Sequence, residues 1–178
     1  MPTAVALPSS DGTVAAKTHV STHPDVIRIE FQGGDYNSYA VAARPYRAGE
    51  VIATFDHATP SDEVRYSTVQ TGEKSHLELN SDLLYCNHSC APSVEFHVVE
   101  GDIRKGYAAA AHDIAEGDTL TFFYPSTEWH MQQPFQCQCG AKTCLGRIAG
   151  AESLSNEQLK PYFLNAHIQR LKAQQASS

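Results

Sequence analysis

The sequence has 178 residues, of which 42% are hydrophobic and 19% are charged, and it carries a formal net charge of −7. This composition is typical of one soluble globular domain with room for a core, and it argues against a disordered chain. The acidic balance argues against direct nucleic-acid binding, which requires a basic surface. No apolar run is long enough to cross a bilayer, so we expect no membrane partner.

The N-terminal segment and the cysteine count both indicate an intracellular protein. Residues 1–20 lack a basic stretch followed by a continuous apolar stretch, so we interpret them as a mobile arm and not as a secretory signal. The chain contains five cysteines, which favours a reducing compartment, cytoplasmic or nuclear. In such a compartment closely spaced thiols bind metal more often than they form disulfides.

Short β-strands are predicted through the first two thirds of the chain, because residues 26–31 alternate between apolar and polar and three further runs are β-rich and flanked by turns. The predicted strands cover residues 26–31, 51–55, 94–99 and 119–123. An internal repeat accompanies them, because residues 41–55 and 109–123 share a small-residue strand, a turn ending in glycine and an acidic residue, and a second strand. We therefore predict two similar β-units within one fold, too few for a solenoid.

Two further segments favour other structure. Residues 62–81 are polar and are predicted to form a short helix or a loop. Residues 155–175 are the best helical candidate, because Leu164, Ile168 and Leu171 recur at helical spacing and Pro161 suits a first turn. We expect this helix to cap a small β-core.

The stretch CQCGAKTC at residues 137–144 has the spacing of a metal-binding loop. Glycine inside it allows the backbone to turn tightly, so its three thiolates can converge on one ion. Structural zinc takes four ligands, and the only other cysteines are Cys86 and Cys90. The pattern therefore predicts a zinc site that one of these two residues completes, tying the C-terminal part of the chain to the core.

Three motifs together resemble the SET-domain methyltransferases that carry a post-SET segment. NHSCAPS at residues 87–93 is similar to their NHSC-x-PN motif, and DTLTFFY at residues 118–124 is similar to their E-L-T-F-D-Y strand. CQCGAKTCLG at residues 137–146 is similar to their C-x-C-G-x3-C-x-G segment. The motifs occur in family order, and the resemblance covers residues 26–150.

The resemblance implies a fold and a division of the chain. The fold would be mainly β with short helices, in which small curved sheets surround a pseudoknot near the NHSC motif. The implied parts are the N-terminal arm and three regions, namely a SET domain over residues 21–125, a post-SET zinc-binding segment over residues 126–150, and a C-terminal helical extension over residues 151–178.

The resemblance also implies residues for catalysis and for S-adenosylmethionine. Asn87 and His88 would contact this cofactor, mainly around its adenine. Tyr124 would be the catalytic tyrosine, and Phe122 would stand in the substrate channel where family members carry Phe or Tyr. Trp129 would either lie over the adenine or anchor the linker.

Two other ligand sets follow from the same resemblance. Ser38, Tyr39 and Ala40 occupy the cofactor-binding segment where the family has G-x-G, so both glycines of that motif are replaced here. Cys90 would be the fourth zinc ligand, and Cys86 would remain free. The implied zinc ligands are Cys90, Cys137, Cys139 and Cys144.

The function implied is S-adenosylmethionine-dependent N-methylation of an amine. The first interpretation is a protein lysine side chain, with di- or trimethylation favoured because Phe122 has no hydroxyl to restrain a methylated amine. The second is a SET-fold enzyme acting on a free amino acid or another small amine. The third is a zinc-stabilised binding module without catalysis, which the replaced glycines would permit.

Overall fold

A computed structural model of the chain describes residues 19–32 and 37–177. The arm expected over residues 1–20 therefore lies outside the described residues, except for its last two. The described strands are β1 (Ile27–Glu30), β2 (Tyr39–Ala42), β3 (Val51–Thr54), β4 (Thr59–Ser61), β5 (Thr68–Gln70), β6 (His76–Glu78), β7 (Asn87–His88), β8 (Val94–His97), β9 (Tyr107–Ala110), β10 (Thr121–Phe122), β11 (Phe135–Gln136) and β12 (Arg147–Ile148).

Helices are short and mostly single turns. The α-helices are α1 (Asn156–Leu159) and α2 (Ala166–Ala176). Tight 3-10 turns occur at Asp82–Tyr85, Ile103–Lys105, Tyr124–Ser126 and Ala151–Ser153. Across residues 19–32 and 37–177, no helix has both the length and the apolar character that a membrane span requires. The described fold is thus mainly β, as the sequence predicts.

The largest sheet has five strands in the order β3-β9-β8-β10-β7. Strand β10 pairs in parallel with both β7 and β8, so the NHSC motif and the strand before Tyr124 lie side by side. Three smaller sheets surround it, with the orders β1-β2, β4-β6-β5 and β11-β12. Apolar side chains from the largest sheet and its neighbours form the main core, where Phe96, Leu77 and Leu120 are fully buried.

The internal repeat is visible in the structure as a local two-fold pairing of the two β-units. Tyr46 and Ile114 occupy equivalent positions in the two units and exchange both backbone hydrogen bonds, each at 2.9 Å. The flanking bonds match as well, because Gly117 donates to the Ala42 carbonyl at 2.8 Å and Gly49 donates to the Ala110 carbonyl at 2.8 Å. The turns require a positive φ, which is 79° at Gly49 and 85° at Gly117.

The prediction of a short helix or loop over residues 62–81 was wrong, because strands β5 and β6 lie there. These strands pair through Val69 and Leu77, and both side chains are buried. Each of these three-residue strands carries its apolar residue between polar ones, so no alternation is long enough to reveal a strand.

The C-terminal helix predicted over residues 155–175 is present, but the structure divides it into α1 and α2. Ser155 begins α1 with a capping box to Gln158. Pro161 follows the end of α1 and does not occupy a first turn, because proline lacks the amide that would continue the helix. Helix α2 starts after Asn165 and buries Ile168 against a second, smaller core.

Candidate active site and metal centre

Asn87 joins three segments that are distant in the sequence. Its side-chain amide donates to the carbonyl oxygen of Ser38 at 3.0 Å, and its backbone pairs with Thr121 of β10. The residue is fully buried, and its Oδ1 has no hydrogen-bond partner among the described residues. A buried acceptor of this kind needs a donor, and an amine of a bound ligand would supply one.

His88 connects the backbone of Tyr124 to the cysteines. The Tyr124 amide donates to Nδ1 of His88 at 3.2 Å, and Nε2 lies 3.4 Å from the sulfur of Cys90. Burial lowers the pKa of His88 to about 4, so the ring is neutral at pH 7. Because Nδ1 accepts a hydrogen bond, these contacts assign the ring proton to Nε2, which faces the sulfur.

Tyr124 lies two residues after the end of β10 and begins a 3-10 turn. Its ring packs against Phe122 at 4.7 Å and against His88 at 5.2 Å between ring centroids. Burial raises the pKa of Tyr124, and the nearby Cys86 and Glu128 raise it further. The phenol is therefore protonated at neutral pH and can donate a hydrogen bond.

A cavity of about 240 Å³ opens beside these aromatic rings. Phe122 and Tyr124 form one part of its wall, and Leu83 and Phe135 add apolar surface. Glu128 contributes a carboxylate to the lining, which also holds the polar side chains of Arg65 and Gln132. The cavity has the mixture of apolar wall and few polar groups that is typical of a small ligand site.

The four predicted metal ligands lie together. The sulfur atoms of Cys90, Cys137, Cys139 and Cys144 all lie within 4.8 Å of one another. The sulfurs of Cys90 and Cys137 are 3.9 Å apart, close to the spacing that a tetrahedron of ligands about 2.3 Å from zinc requires. Gly140 has a positive φ of 72°, which lets the loop reverse between its cysteines.

The surroundings of these sulfurs favour a bound cation. The Leu145 amide donates to the Cys90 sulfur at 3.4 Å. Burial works against ionisation of Cys139, yet backbone hydrogen bonds, first that of the Ala141 amide, lower the pKa of its thiol to about 6. Burial raises the pKa of the Cys90 thiol to about 11. A divalent cation would stabilise all four thiolates, so the set fits zinc.

Cys86 lies apart from this cluster. Its buried thiol lines the cavity beside Tyr124, and burial raises its pKa above the ordinary value for cysteine. A desolvated neutral thiol is a poor metal ligand and a poor nucleophile.

The four remaining predicted cofactor residues differ in their surroundings. Ser38 is half-buried and accepts the Asn87 hydrogen bond, whereas Ala40 is fully buried in the main core. Tyr39 accepts a hydrogen bond from Gln32 at 3.3 Å. Trp129 does not line the cavity but packs in the second core, with Lys172 5.6 Å from its ring centroid. The replacement of the second glycine by Ala40 therefore places a methyl group in the core.

Glu128 and Gln70 are site residues that sequence reasoning missed. The Gln70 amide donates to Glu128 at 2.9 Å, and the Trp129 amide donates to the Gln70 side chain at 2.8 Å. These bonds fix the segment after Tyr124 against β5. No motif surrounds either residue, and β5 itself was not predicted, so the sequence held no signal for this pairing.

Comparison with known proteins identifies the family. No family model matches the chain. The methyltransferase flvH of Aspergillus flavus is 40% identical over 152 residues, covering 85% of this chain and 84% of that protein. A histone-lysine N-methyltransferase of Yarrowia lipolytica, H3 lysine-36 specific, is 40% identical over 68 residues, covering 37% of this chain and 9% of that protein. The chain belongs to the SET-domain methyltransferases.

The SET fold is also found among solved structures. The structure of KRYPTONITE in complex with mCHH DNA, an H3(1-15) peptide and SAH has a TM-score of 0.51 with this chain at 17% sequence identity. The match covers 68% of this chain and 29% of the KRYPTONITE chain. At this identity the likeness establishes the fold.

Proposed function

We propose that the protein transfers methyl groups from S-adenosylmethionine to an amine, with a protein lysine side chain as the favoured acceptor. One observation carries this proposal. Tyr124 bonds through its backbone to His88, on the expected cofactor side, while its ring lines the apolar cavity. It therefore stands at the junction that methyl transfer requires, where donor and acceptor must be held in line.

The acceptor class rests on the comparison with the Yarrowia lipolytica enzyme, whose matched region includes 68 residues at 40% identity. A lysine side chain has an apolar stem and a terminal amine, which suits a cavity walled by Leu83, Phe122 and Phe135. Zinc at the four cysteines would hold the chain around Phe135 against the NHSC motif, because Cys90 and Cys137 belong to these two segments.

Each protein group has a separate part in the reaction. S-adenosylmethionine supplies, when bound, an electrophilic methyl group on a sulfonium. Asn87 Oδ1 is the buried acceptor that would receive a donor from this cofactor, and Ser38 holds the Asn87 side chain in place. The protonated Tyr124 hydroxyl orients the amine, and Phe122 with Phe135 excludes water from it.

Binding and turnover together test the proposal. S-adenosylmethionine at 100 times its dissociation constant is expected to raise the free energy of unfolding by about 2.7 kcal/mol. Release of S-adenosylhomocysteine and a mass increase are then expected with a peptide spanning lysine 36 of histone H3. Absence of any stabilisation would contradict the proposal and favour the binding module without catalysis.

A further inference from the structure

Glu128 places a carboxylate in the wall of the cavity that also contains Phe122 and Tyr124. Two hydrogen bonds hold it, from the Gln70 amide at 2.9 Å and from the Thr127 hydroxyl at 3.1 Å. Both bonds end on Oε1. No described residue bonds to Oε2, so this oxygen is available to a ligand in the cavity.

No basic side chain among the described residues forms an ion pair with Glu128. Arg65 also lines the cavity, but its guanidinium pairs with Glu63 at 2.6 Å. The other titratable groups on the lining are Tyr66, Cys86 and Tyr124, and burial raises the pKa of Cys86 and of Tyr124. Among the described residues, Glu128 is therefore a carboxylate in the cavity wall without an ion-pair partner, an arrangement that a cationic ligand would stabilise.

Burial supports the same conclusion. It raises the pKa of Glu128 to about 7, while the two hydrogen bonds on Oε1 act in the opposite direction. The group is therefore half ionised near neutral pH and can exchange a proton with a bound amine.

We propose that the cavity receives the acceptor as an ammonium ion and that Glu128 is its counter-ion and the base that deprotonates it. This inference rests on the proposed function. The alkyl stem of the acceptor lies along Leu83, Phe122 and Phe135, and the ammonium group lies between Oε2 of Glu128 and the Tyr124 ring. An ammonium beside an aromatic face is stabilised further by the π-electrons.

An N–H bond of the ammonium breaks as an O–H bond forms on Oε2, which leaves a neutral amine and a protonated Glu128. The amine lone pair then forms the N–C bond to the methyl group as the C–S bond of the donor breaks, giving a methylammonium product and S-adenosylhomocysteine. Glu128 finally releases its proton to solvent.

The same carboxylate defines the substrate class. A carboxylate adjacent to the amine, as in an α-amino group of a free amino acid, would face Glu128 at close range and be repelled. The site therefore suits an amine at the end of an apolar stem and remote from any acid. A lysine side chain and a small free alkylamine both meet this description.

The experiment compares wild type with Glu128→Gln and with the exposed control Glu116→Gln. Glutamine keeps one oxygen for the Gln70 amide and the Thr127 hydroxyl, so the variant changes the charge and preserves these contacts. The probes are n-butylamine and the peptide around lysine 36 of histone H3, each with saturating S-adenosylmethionine. Methylation of one probe alone identifies a small amine or a protein lysine as the acceptor.

We expect Glu128→Gln to lower kcat/KM about a hundredfold at pH 7, with unchanged S-adenosylmethionine affinity and with Glu116→Gln at wild-type rate. The difference in kcat/KM between Glu128→Gln and wild type should shrink toward pH 10. The amine has a pKa of about 10.4, so at that pH it loses its proton without a base. A wild-type rate in Glu128→Gln at pH 7, or a deficit equal at every pH, would overturn the inference.

A binding measurement separates this inference from the proposed function. If wild type binds S-adenosylmethionine but methylates neither probe, affinity for n-butylamine decides the role of Glu128. Weaker binding by Glu128→Gln than by wild type supports the counter-ion, and equal binding contradicts it. If the variant fails to fold, wild-type affinity for n-butylamine must fall as pH decreases through about 7, and an affinity independent of pH contradicts the inference.

Discussion

Three consecutive aromatic residues at the end of β10 and just beyond it point alternately into two environments. Phe122 and Tyr124 line the cavity, whereas Phe123 between them points into the second core and stacks on Tyr162 with ring centroids 3.7 Å apart. The family motif has an acidic residue where Phe123 stands. Its aromatic replacement here gives the C-terminal segment a packing partner, while the cavity side of the strand keeps its pattern.

Replacing Tyr124 by Phe removes only the hydroxyl, because the hydrogen bond to His88 uses the backbone amide. Turnover should fall by at least about tenfold, since the hydroxyl acts on the reacting centre and not on the bound cofactor. S-adenosylmethionine affinity, measured by calorimetry, should not change. Tyr107→Phe, on a tyrosine that stacks on His97 in β8, is the matched control. Equal turnover in Tyr124→Phe and the control would remove Tyr124 from the mechanism.

Phe122 determines how much space surrounds the acceptor nitrogen. Its ring lines the cavity and stacks on Phe96 at 4.0 Å, so its orientation is fixed. We expect di- or trimethylated product from wild type and a shift toward one methyl group in Phe122→Tyr, whose hydroxyl can hold a water or the amine. Mass spectrometry of the product after long reaction times measures this distribution. A wild-type product that stops at one methyl group would contradict the assignment.

At the scale of elements, hydrogen bonds as well as the clustered cysteines join the cysteine loop to the core. The Tyr162 hydroxyl donates to the Cys90 carbonyl at 2.9 Å, so the turn that bears Cys90 touches both the loop and the C-terminal segment. Strands β11 and β12 flank this loop and pair in antiparallel fashion. A metal ion here would connect two parts of the chain, and the Tyr162 hydrogen bond attaches the C-terminal segment as a third.

Loss of Cys90 should therefore release the loop. We expect about one zinc per chain in wild type, loss of the metal and faster proteolysis within residues 131–150 in Cys90→Ser, and neither effect in Cys86→Ser. Elemental analysis and limited proteolysis measure these outcomes, with Cys86→Ser as the matched control because its thiol is buried outside the cluster. Full zinc content in Cys90→Ser would contradict the ligand assignment.

Elements with a distinctive local pattern were predictable, and those shaped by distant partners were not. A strand forms within residues 26–31 because Ile27 and Ile29 alternate with polar residues, and the metal loop was evident from spacing alone. The break between α1 and α2 was missed because Leu164 and Ile168 keep a helical spacing across it. Buried Asn165 ends that pattern, since its side chain donates to the carbonyl oxygens of Phe96 and Ser126.

For the whole molecule, Asp82 fastens the first described residues to the core. One carboxylate oxygen accepts from His19 at 2.7 Å, and the other accepts from the Ser21 hydroxyl and from the amides of Thr22 and His23. Burial acts to raise the pKa of Asp82, but these hydrogen bonds outweigh it and hold the pKa below its usual value.

Because the pKa of Asp82 is lowered in the folded state, the free energy of unfolding depends on pH. Asp82 stabilises the fold above its unfolded pKa of about 3.9, and the contribution is lost as pH falls through the lower folded value. Asp82→Asn should lower the free energy of unfolding by about 2 kcal/mol at pH 7, because hydrogen bonds to a charged group are replaced. The difference in this free energy between the variant and wild type should narrow below about pH 4. Urea unfolding at several pH values measures it, with exposed Asp62→Asn as control. A gap independent of pH would contradict this role.

The site as a whole was predictable only where a motif marked it. Local spacing marked the three cysteines of the loop, and the resemblance to the SET family implied Tyr124 and Cys90. The cavity was not predictable, because its wall combines Leu83, Glu128 and Phe135 from segments that meet only through tertiary packing. A carboxylate such as Glu128 becomes unusual only when burial removes water from it, and burial is a property of the folded chain.

The paired β-units around Tyr46 and Ile114 also suggest how this fold could have arisen. Equivalent bonds on either side of one axis are the contacts of a symmetric dimer, in which each copy offers the same surface to the other. Duplication of one short gene segment, followed by fusion, would give this arrangement within a single polypeptide. After such a fusion the copies would be free to diverge, and only the second, through β10, leads into Tyr124.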